Sequence, residues 1–372
     1  MPLPKILFYT HGLVDGGAER LWACLATAFR QRGYDVVFVV DFAATENRSN
    51  LDPAIPLHTL GKGHFQATRR LARILSDERP DVTLSAVGGS NTKILAAIAL
   101  SGVETRPIIS YHGYEEWKSG LLSLATYLAL PMLSAASART VAVSDGLRDA
   151  LLTTWRANKQ KTVAMHNPVF FPETTRVPTA SELRGREEII LAVGRFVSQK
   201  DYPTMIRAFA RLKRPNARLV ILGKGPGQRE VARQVANLGL ADRVSMPGYL
   251  SDPWSAYETA KCFVLSSRSE PFGNVVVEAL AHGLPVVATA CSGPLEILQH
   301  GRYGKIVPVG DDLHLADAMN ATLNDTGDPE KRRKRADEFS FRIRVPTYEA
   351  LVEAVLAEAR AAPAVGSVAQ RS

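Results

Sequence analysis

Short runs of β-branched and aromatic residues alternate along this chain with longer stretches whose apolar positions recur at helical spacing. The first series of runs covers residues 5–10, 35–40, 82–86, 108–111 and 140–143. A second begins at Glu188, with residues 189–193, 218–222, 243–246, 261–266 and 285–289. Runs that are apolar along their whole length predict strands buried on both faces, and the helical stretches between them predict the crossovers that cover those faces. Alternation of this kind predicts parallel sheets, and two series predict two doubly wound α/β domains. Between the series, Asn167-Pro168-Val169-Phe170-Phe171-Pro172 and the polar stretch to Arg186 lack apolar periodicity and predict a linker. The expected division is therefore 1–170, a linker 171–186, 187–345, and a terminal segment 346–372. In that segment Tyr348–Ala359 has the pattern of an amphipathic helix, and the Ala, Pro, Gly, Ser and Gln that follow predict a disordered tail. The expected site lies in a cleft between the domains, where the strands end.

The chemistry concentrates between residues 264 and 289. Cys262–Ser266 predicts a strand, Asn274–His282 a helix stopped by Gly283, and Pro285 leads into the next strand. Glu270 and Glu278 flank the turn that opens this helix. Amides of Phe272, Gly273 and Asn274 lack helical partners there and can receive phosphate or sugar oxygens, while Gly273 admits close approach. The two carboxylates can accept sugar hydroxyls, an arrangement that suits a nucleotide sugar. Glu278 sits in an otherwise apolar helix, so it is either matched by a hydroxyl-bearing partner or placed on a solvated face. Upstream, Val-Gly-Arg-Phe-Val-Ser-Gln-Lys-Asp at 193–201 follows a strand. Arg195 and Lys200 are either a clamp on a diphosphate or two surface cations in a loop. Gly223-Lys224-Gly225-Pro226 lacks the spacing of a phosphate-binding P-loop and reads as a tight turn. Near the N-terminus, Gly16 and Gly17 precede a helix starting near Ala18, where paired glycines admit an anion or a sugar; the spacing is not that of a dinucleotide fold. His112, at a strand end, is a structural or a ligand-facing histidine.

These residues carry a family resemblance. The string from Glu270 to Thr289, Glu-Pro-Phe-Gly-Asn followed by Glu278-Ala279 and Gly283-Leu284-Pro285-Val286-Val287-Ala288-Thr289, resembles the E-x7-E motif of the retaining GT-B-fold glycosyltransferases of family GT4. The fold so implied is α/β, GT-B, with two Rossmann-like domains facing a central cleft. Gly194-Arg195 with Lys200 is similar to the family's Gly-Arg-x4-Lys, which implies contacts with the donor diphosphate; Asp201 stands where relatives carry glycine. Gly16-Gly17-Ala18-Glu19-Arg20 resembles the signature of one GT4 subset and implies contact with the diphosphate and the acceptor. The resemblance further implies that His112 holds the donor sugar, Glu270 its hydroxyls and Glu278 the ribose. It implies Tyr249 and Leu250 beside the base, Asn167 at a hinge, and a final helix that returns to the first domain. The implied reaction is transfer, with retention, from a nucleoside diphosphate sugar, UDP-linked in preference to GDP-linked, to a glycan or polyprenyl-diphosphate-linked acceptor in surface-polysaccharide synthesis.

Composition narrows the partners. Forty-five Lys and Arg against 37 acidic residues give a net charge of +8, which suits phosphorylated small molecules or an anionic membrane surface, or else serves solubility alone. No zinc finger, RNP-like strand or basic-region helix is present, so nucleic acid is not expected. No Asp-x-Asp occurs, and we expect no metal and no cofactor beyond the donor. The three cysteines lack metal or redox spacing and read as buried small residues. No run approaches a membrane span, so a cytoplasmic protein is expected, peripheral on the membrane at most. The apolar stretch Trp117–Ala138 reads as a long helix packed in the core, or else as a membrane-docking face. The basic run Lys331–Arg335 reads as a solvated helix face. Two other classes compete: a sugar-nucleotide epimerase, which needs more acids and histidines than this chain displays, and a non-catalytic nucleotide-sugar-binding subunit, which usually lacks one of Arg195, Lys200, Glu270 or Glu278.

Overall fold

A computed structural model describes residues 3–14, 17–44, 47–172 and 174–361. The chain forms two compact units, one of Met1–Ala142, Arg148–Met165 and Val345–Ser372, the other of Val143–Leu147 and His166–Arg344. The elements between Lys5 and Ala164 are β1 (Lys5–Gly12), α1 (Gly17–Gln31), β2 (Asp35–Phe42), β3 (Leu57–Thr59), α2 (His64–Glu78), β4 (Val82–Ala86), α3 (Gly88–Ser101), β5 (Arg106–Tyr111), α4 (Leu121–Leu128), α5 (Leu130–Ala136), β6 (Arg139–Ala142), α6 (Asp145–Thr153) and β7 (Thr162–Ala164). The strands form one parallel sheet in the order β3-β2-β1-β4-β5-β6-β7. Its central strands are buried along nearly their whole length, as their uninterrupted apolar runs require. Helix α1 lays Leu21, Trp22, Leu25, Ala26 and Phe29 on the sheet, with Phe8 edge-on to the rings of Trp22 and Phe29 at 6.2 and 5.8 Å.

The remaining elements are α7 (Ala180–Gly185), β8 (Ile189–Val193), α8 (Tyr202–Ala210), β9 (Arg218–Leu222), α9 (Gln228–Asn237), β10 (Val244–Gly248), α10 (Trp254–Thr259), β11 (Cys262–Leu265), α11 (Asn274–Ala281), β12 (Val286–Thr289), α12 (Ser292–Ile297), β13 (Lys305–Val307), α13 (Asp312–Asn324), α14 (Pro329–Asp337) and α15 (Phe341–Ala361). The second sheet is also parallel, in the order β10-β9-β8-β11-β12-β13. Its core gathers Ile190, Phe196, Met205, Phe209, Leu219 and Ile221.

Several local expectations are revised. The edge strands β3, β7 and β13 have three residues each, too short to leave an apolar run. The stretch read as a linker contains α7, whose start is a capping box in which Thr179 and Glu182 each accept the other's backbone N–H. The long helix expected over Trp117–Ala138 is broken: Gly120, at φ 149°, separates a 3-10 turn at Glu116–Ser119 from α4, and α5 begins at Leu130. Its core reading holds only in part: Tyr127 and Leu130 are buried, whereas Leu121, Leu122, Leu128 and Met132 are exposed. In α14 the basic run is only partly solvated: Arg332 and Arg335 are buried, and Arg335 donates to the carbonyls of Ile297 and Glu296. Helix α15 carries Pro346 in its interior and extends the expected Tyr348–Ala359 helix at both ends. The tail beyond Ala361, and Gly16, lie outside the described residues.

Candidate functional site

The order of the second sheet turns at β8. The chain runs outward through β9 and β10, then returns to pair β11 on the other side. The carboxyl ends of β8 and β11 therefore flank a topological switch point, where adjacent crossovers leave on opposite faces and open a crevice. The loops that meet there carry Arg195, Lys200 and Glu270.

The Arg195 loop is shaped by its neighbour. A Cβ on Gly223 would lie 2.0 Å from the Gly194 carbonyl oxygen, and one on Gly225 would lie 2.6 Å from that of Phe196. The Gly-Lys-Gly-Pro turn after β9 thus packs backbone to backbone on the Gly-Arg-Phe turn after β8, with the Phe196 amide donating to Lys224 O at 3.1 Å. Arg195 is left exposed. The chain then makes a 3-10 turn, Ser198–Lys200, and enters α8 through Asp201, whose φ and ψ are both 45°. That left-handed conformation accounts for the glycine expected here; Asp201 holds it with a buried carboxylate that accepts from Thr204 at 2.9 Å and pairs with Arg268 at 3.1 Å.

Lys200 Nζ donates to Glu270 Oε2 at 2.5 Å, and Ser267 Oγ donates to the same oxygen at 3.2 Å. Gln199 donates to Ser269 O and receives the Arg268 amide, so the loops after β8 and β11 are joined by their backbones as well as by the ion pair. Gly273, at φ 101°, opens α11, which starts without a side-chain cap. Such a start leaves helix amides directed outward. Of the flanking residues, Phe272 has only its backbone to offer a ligand: its ring is buried against His166 and Phe339 at 5.7 and 5.6 Å. The Asn274 side chain accepts from Asn167 at 3.0 Å and is committed to that contact. Glu278 is buried, with Tyr257 donating its hydroxyl at 2.8 Å, which excludes the solvated-face reading. Tyr249 and Leu250 follow β10 and are exposed, and Lys224 Nζ stands 5.2 Å from the Tyr249 ring centroid. One contributor left no mark in the sequence: Gly293, at the start of α12, donates to Glu270 O at 3.0 Å, and a Cβ there would lie 2.0 Å from Phe272 O.

In the first unit the sheet order turns between β1 and β4. His112, after β5, is half-buried, with Nε2 2.9 Å from Ser110 Oγ and its ring 5.2 Å from that of Trp22. Burial holds its pKa down at about 3, so the ring is neutral at pH 7. Glu116 accepts from the amides of His112 and Gly88, both at 3.2 Å, and from the Tyr127 hydroxyl at 3.3 Å. Burial raises its pKa to about 7 despite those donors. The residue before Gly88 is Val87 at φ 75°, a conformation that a β-branched side chain resists. Gly17 is exposed at the start of α1.

The profile of the family described as Glycosyltransferase Family 4 matches residues 15–170, and that of Glycosyl transferases group 1 matches residues 174–339. This chain belongs to the GT4-type glycosyltransferases. Its relatives include the lipopolysaccharide core biosynthesis glycosyltransferase LpsE of Rhizobium meliloti, 35% identical over 137 residues that cover 37% of this chain and 40% of LpsE. An uncharacterized glycosyltransferase of Haemophilus influenzae is 26% identical over 337 residues, 87% of this chain and 91% of that protein. Among solved structures, HepE of Anabaena in complex with UDP and glucose superposes with a TM-score of 0.81 at 19% identity, over 95% of this chain and 100% of HepE. Together with two parallel sheets of seven and six strands, these likenesses establish the GT-B fold.

Two further groupings in this GT4-type chain are invisible in its sequence, because their members come from distant segments. Asp41, at the end of β2, accepts from Tyr9 at 2.7 Å, contacts His11 Nδ1 at 2.6 Å and pairs with Lys93. Burial would raise its pKa, but those three partners hold the carboxyl below its ordinary value. The exposed His11 ring thereby has one nitrogen fixed by a carboxylate beside the switch point of the first sheet. Asp145, His166 and Glu296 bring ligand atoms within 4.8 Å of one another, a spacing that a metal ion could use. The Glu296 carboxylate is already engaged by the amides of Asp145 and Gly146, at 3.1 and 2.8 Å, and by His166 at 3.1 Å. It caps the first turn of α6, which accounts for the cluster without a cation.

Proposed function

We propose that this protein is a retaining, metal-independent glycosyltransferase that moves a sugar from a UDP-linked donor to a glycan or polyprenyl-diphosphate-linked acceptor in surface-glycan synthesis. The observation that carries the reading is the Lys200–Glu270 pair at the switch point between β8 and β11, beside Arg195 and the uncapped start of α11. Departure of a nucleoside diphosphate concentrates negative charge on the β-phosphate. Arg195, Lys200 and the α11 amides are fixed dipoles and charges that stabilise it before it forms. Lys200 has three donors and spends one on Glu270, so it can hold the carboxylate and a phosphate oxygen together. The acceptor hydroxyl attacks the anomeric carbon as its bond to the phosphate breaks, on the face that the phosphate leaves, and the departing phosphate oxygen takes the hydroxyl proton.

In this reading Glu270 accepts from donor-sugar hydroxyls and Glu278, oriented by Tyr257, from the ribose. Tyr249 and Leu250 lie along the base. In the first unit, the neutral ring of His112 holds a sugar hydroxyl, and Gly16 and Gly17 admit the diphosphate. Support for UDP comes from HepE, which was solved with UDP and glucose, and support for a glycan acceptor comes from the lipopolysaccharide role in the name of LpsE. Metal independence rests on the absence of Asp-x-Asp and on cations placed where a metal would otherwise screen charge. A membrane contact through Leu121, Leu122, Leu128 and Met132 would bring a lipid-linked acceptor to the enzyme.

The test is thermal denaturation with UDP, GDP, ADP and CMP, each with and without EDTA. We expect the melting temperature to rise with UDP alone, unchanged by EDTA, and the rise to vanish in Lys200→Ala. A response to no nucleotide, or one abolished by EDTA, defeats the proposal. The anomeric configuration of the product, read by NMR, tests retention separately.

A further inference from the structure

A cavity of about 280 Å³ lies in the second unit, among the start of β12 (Pro285, Val286), the segment Gly301–Lys305 that leads into β13, the end of α13 and the first turns of α14. It is not part of the site described above. Glu270, Gly273 and Gly293 follow the carboxyl ends of β11 and β12, whereas this cavity borders the amino ends of β12 and β13. The four-residue length of β12, roughly 13 Å, separates the two edges.

Three buried polar atoms belong to the residues that line it, and none has a hydrogen-bond partner among the described residues: Thr322 Oγ1, Thr326 Oγ1 and Arg332 Nη2. Arg332 is 7% exposed, Thr322 2% and Thr326 1%. Such atoms normally find partners, and a buried guanidinium without a counter-charge is costly. Arg332 spends Nε on the Gly283 carbonyl at 2.9 Å and has no carboxylate within ion-pair distance among the described residues. Burial lowers its pKa to about 10, and the nearby charges of Asp328 and Asp325 only partly oppose that shift.

The rest of the wall adds to this charge. Arg302, Lys305 and Lys331 line the cavity with Arg332, four cations against Asp325 and Asp328. Both acids are partly spent on the turn between α13 and α14: Asp325 accepts the Gly327 amide at 3.0 Å, and Asp328 caps α14 by accepting the Lys331 amide at 3.1 Å. Tyr303 supplies a ring face that holds the flanking cations, with Lys331 Nζ 5.3 Å and the Arg302 guanidinium 5.5 Å from its centroid.

We propose that this cavity is a second ligand site, separate from the donor site, that binds the phosphate group of a small molecule. Arg332 and the hydroxyls of Thr322 and Thr326 are the donors for its oxygens, and Lys305, Lys331 and Arg302 supply the field that draws it in. The volume falls just below the roughly 300–1,000 Å³ range of small-molecule sites, enough for a phosphate with a short attached group.

The experiment is thermal denaturation of the full chain against inorganic phosphate and glucose 6-phosphate, with sodium chloride at matched ionic strength as the baseline. Wild type, Lys200→Ala and the Lys305→Ala/Lys331→Ala variant are compared; both lysines of the double variant are exposed, so folding is retained. We expect a saturable rise above chloride in wild type and Lys200→Ala, and about tenfold weaker affinity in the double variant, as loss of charge-assisted contacts requires. Tighter binding of glucose 6-phosphate identifies a phosphorylated metabolite as the ligand; equal binding identifies free phosphate. A rise lost in Lys200→Ala but kept in the double variant assigns the anion to the donor loops and overturns the proposal. So does the lack of any saturable rise. Thr326→Val, which removes one donor at little change of volume, is expected to weaken binding while leaving the response to UDP intact.

Discussion

At the scale of single residues, the titratable group with the clearest consequence is Glu116. Its carboxylate joins the amide of His112 to that of Gly88, and so ties the loop after β5 to the start of α3. Its pKa is raised by burial to about 7, against an ordinary value near 4.5. The sign follows directly. Between these two values the folded protein retains a proton that the unfolded chain has released, so stability falls as pH rises from about 4.5 to about 7. After partial solvent screening the loss is roughly 2 kcal/mol. Glu116→Gln cannot titrate, and we expect its melting temperature to change less across this window than that of wild type; equal slopes would remove Glu116 from the account. None of this was legible in advance. His112 stood out because it ends a strand, but Glu116 follows a second glutamate, Glu115, in a polar stretch, and only its three donors distinguish it. The same holds for Asp41, whose partners Tyr9, His11 and Lys93 are scattered over more than eighty positions.

At the scale of elements, the loops after β8 and β11 are held by glycines whose importance is purely steric. Gly293 sits so close to the Glu-Pro-Phe-Gly turn that a methyl group would overlap the Phe272 carbonyl, and backbone cannot swing aside as a side chain can. Gly89, in the first turn of α3, has nothing within 4 Å of the corresponding position and no positive φ. The same substitution should therefore act with opposite signs. Gly293→Ala is expected to destabilise by about 1–3 kcal/mol and to weaken the response to UDP, because it displaces the turn that carries Glu270. Gly89→Ala is expected to stabilise by about 0.5–1 kcal/mol, the usual gain in a helix, with the UDP response unchanged. Melting curves of the two variants check both signs. Strands such as 189–193 and 218–222 were legible because burial on both faces demands an unbroken apolar run. The residues 57–59, 162–164 and 305–307 were not, since three residues at a sheet edge need no such run. Arg332 and Arg335 misled for a related reason: a basic run looks solvated until the carbonyls that receive it are known.

At the scale of the whole molecule, charge and exposed apolar surface combine. The net charge is +8, and between Glu116 and Asp145 the chain has no acidic residue. Within that interval Leu121 is 88% exposed and Met132 75%, with Leu122 and Leu128 more than half exposed, while Lys118 lies just before them. None of the described helices is long and apolar enough to cross a membrane, so these side chains could enter only the interfacial layer. Each leucine transferred there regains up to about 1.5–3 kcal/mol, and each cation beside an anionic surface adds about 1 kcal/mol. Neither term alone holds a protein of this size to a bilayer, but together they predict binding that requires both anionic lipid and the apolar face. Co-sedimentation with phosphatidylglycerol-rich vesicles should therefore capture the protein, and vesicles of phosphatidylcholine alone should capture much less. Leu121→Ser/Leu122→Ser should lower capture by at least about tenfold. Its melting temperature should be preserved, because both side chains are already exposed. High salt should weaken the wild type through the charge term while leaving the apolar term in place. Equal capture by both vesicle types, or capture that survives the double substitution, would return these four side chains to the ordinary apolar fraction of a protein surface.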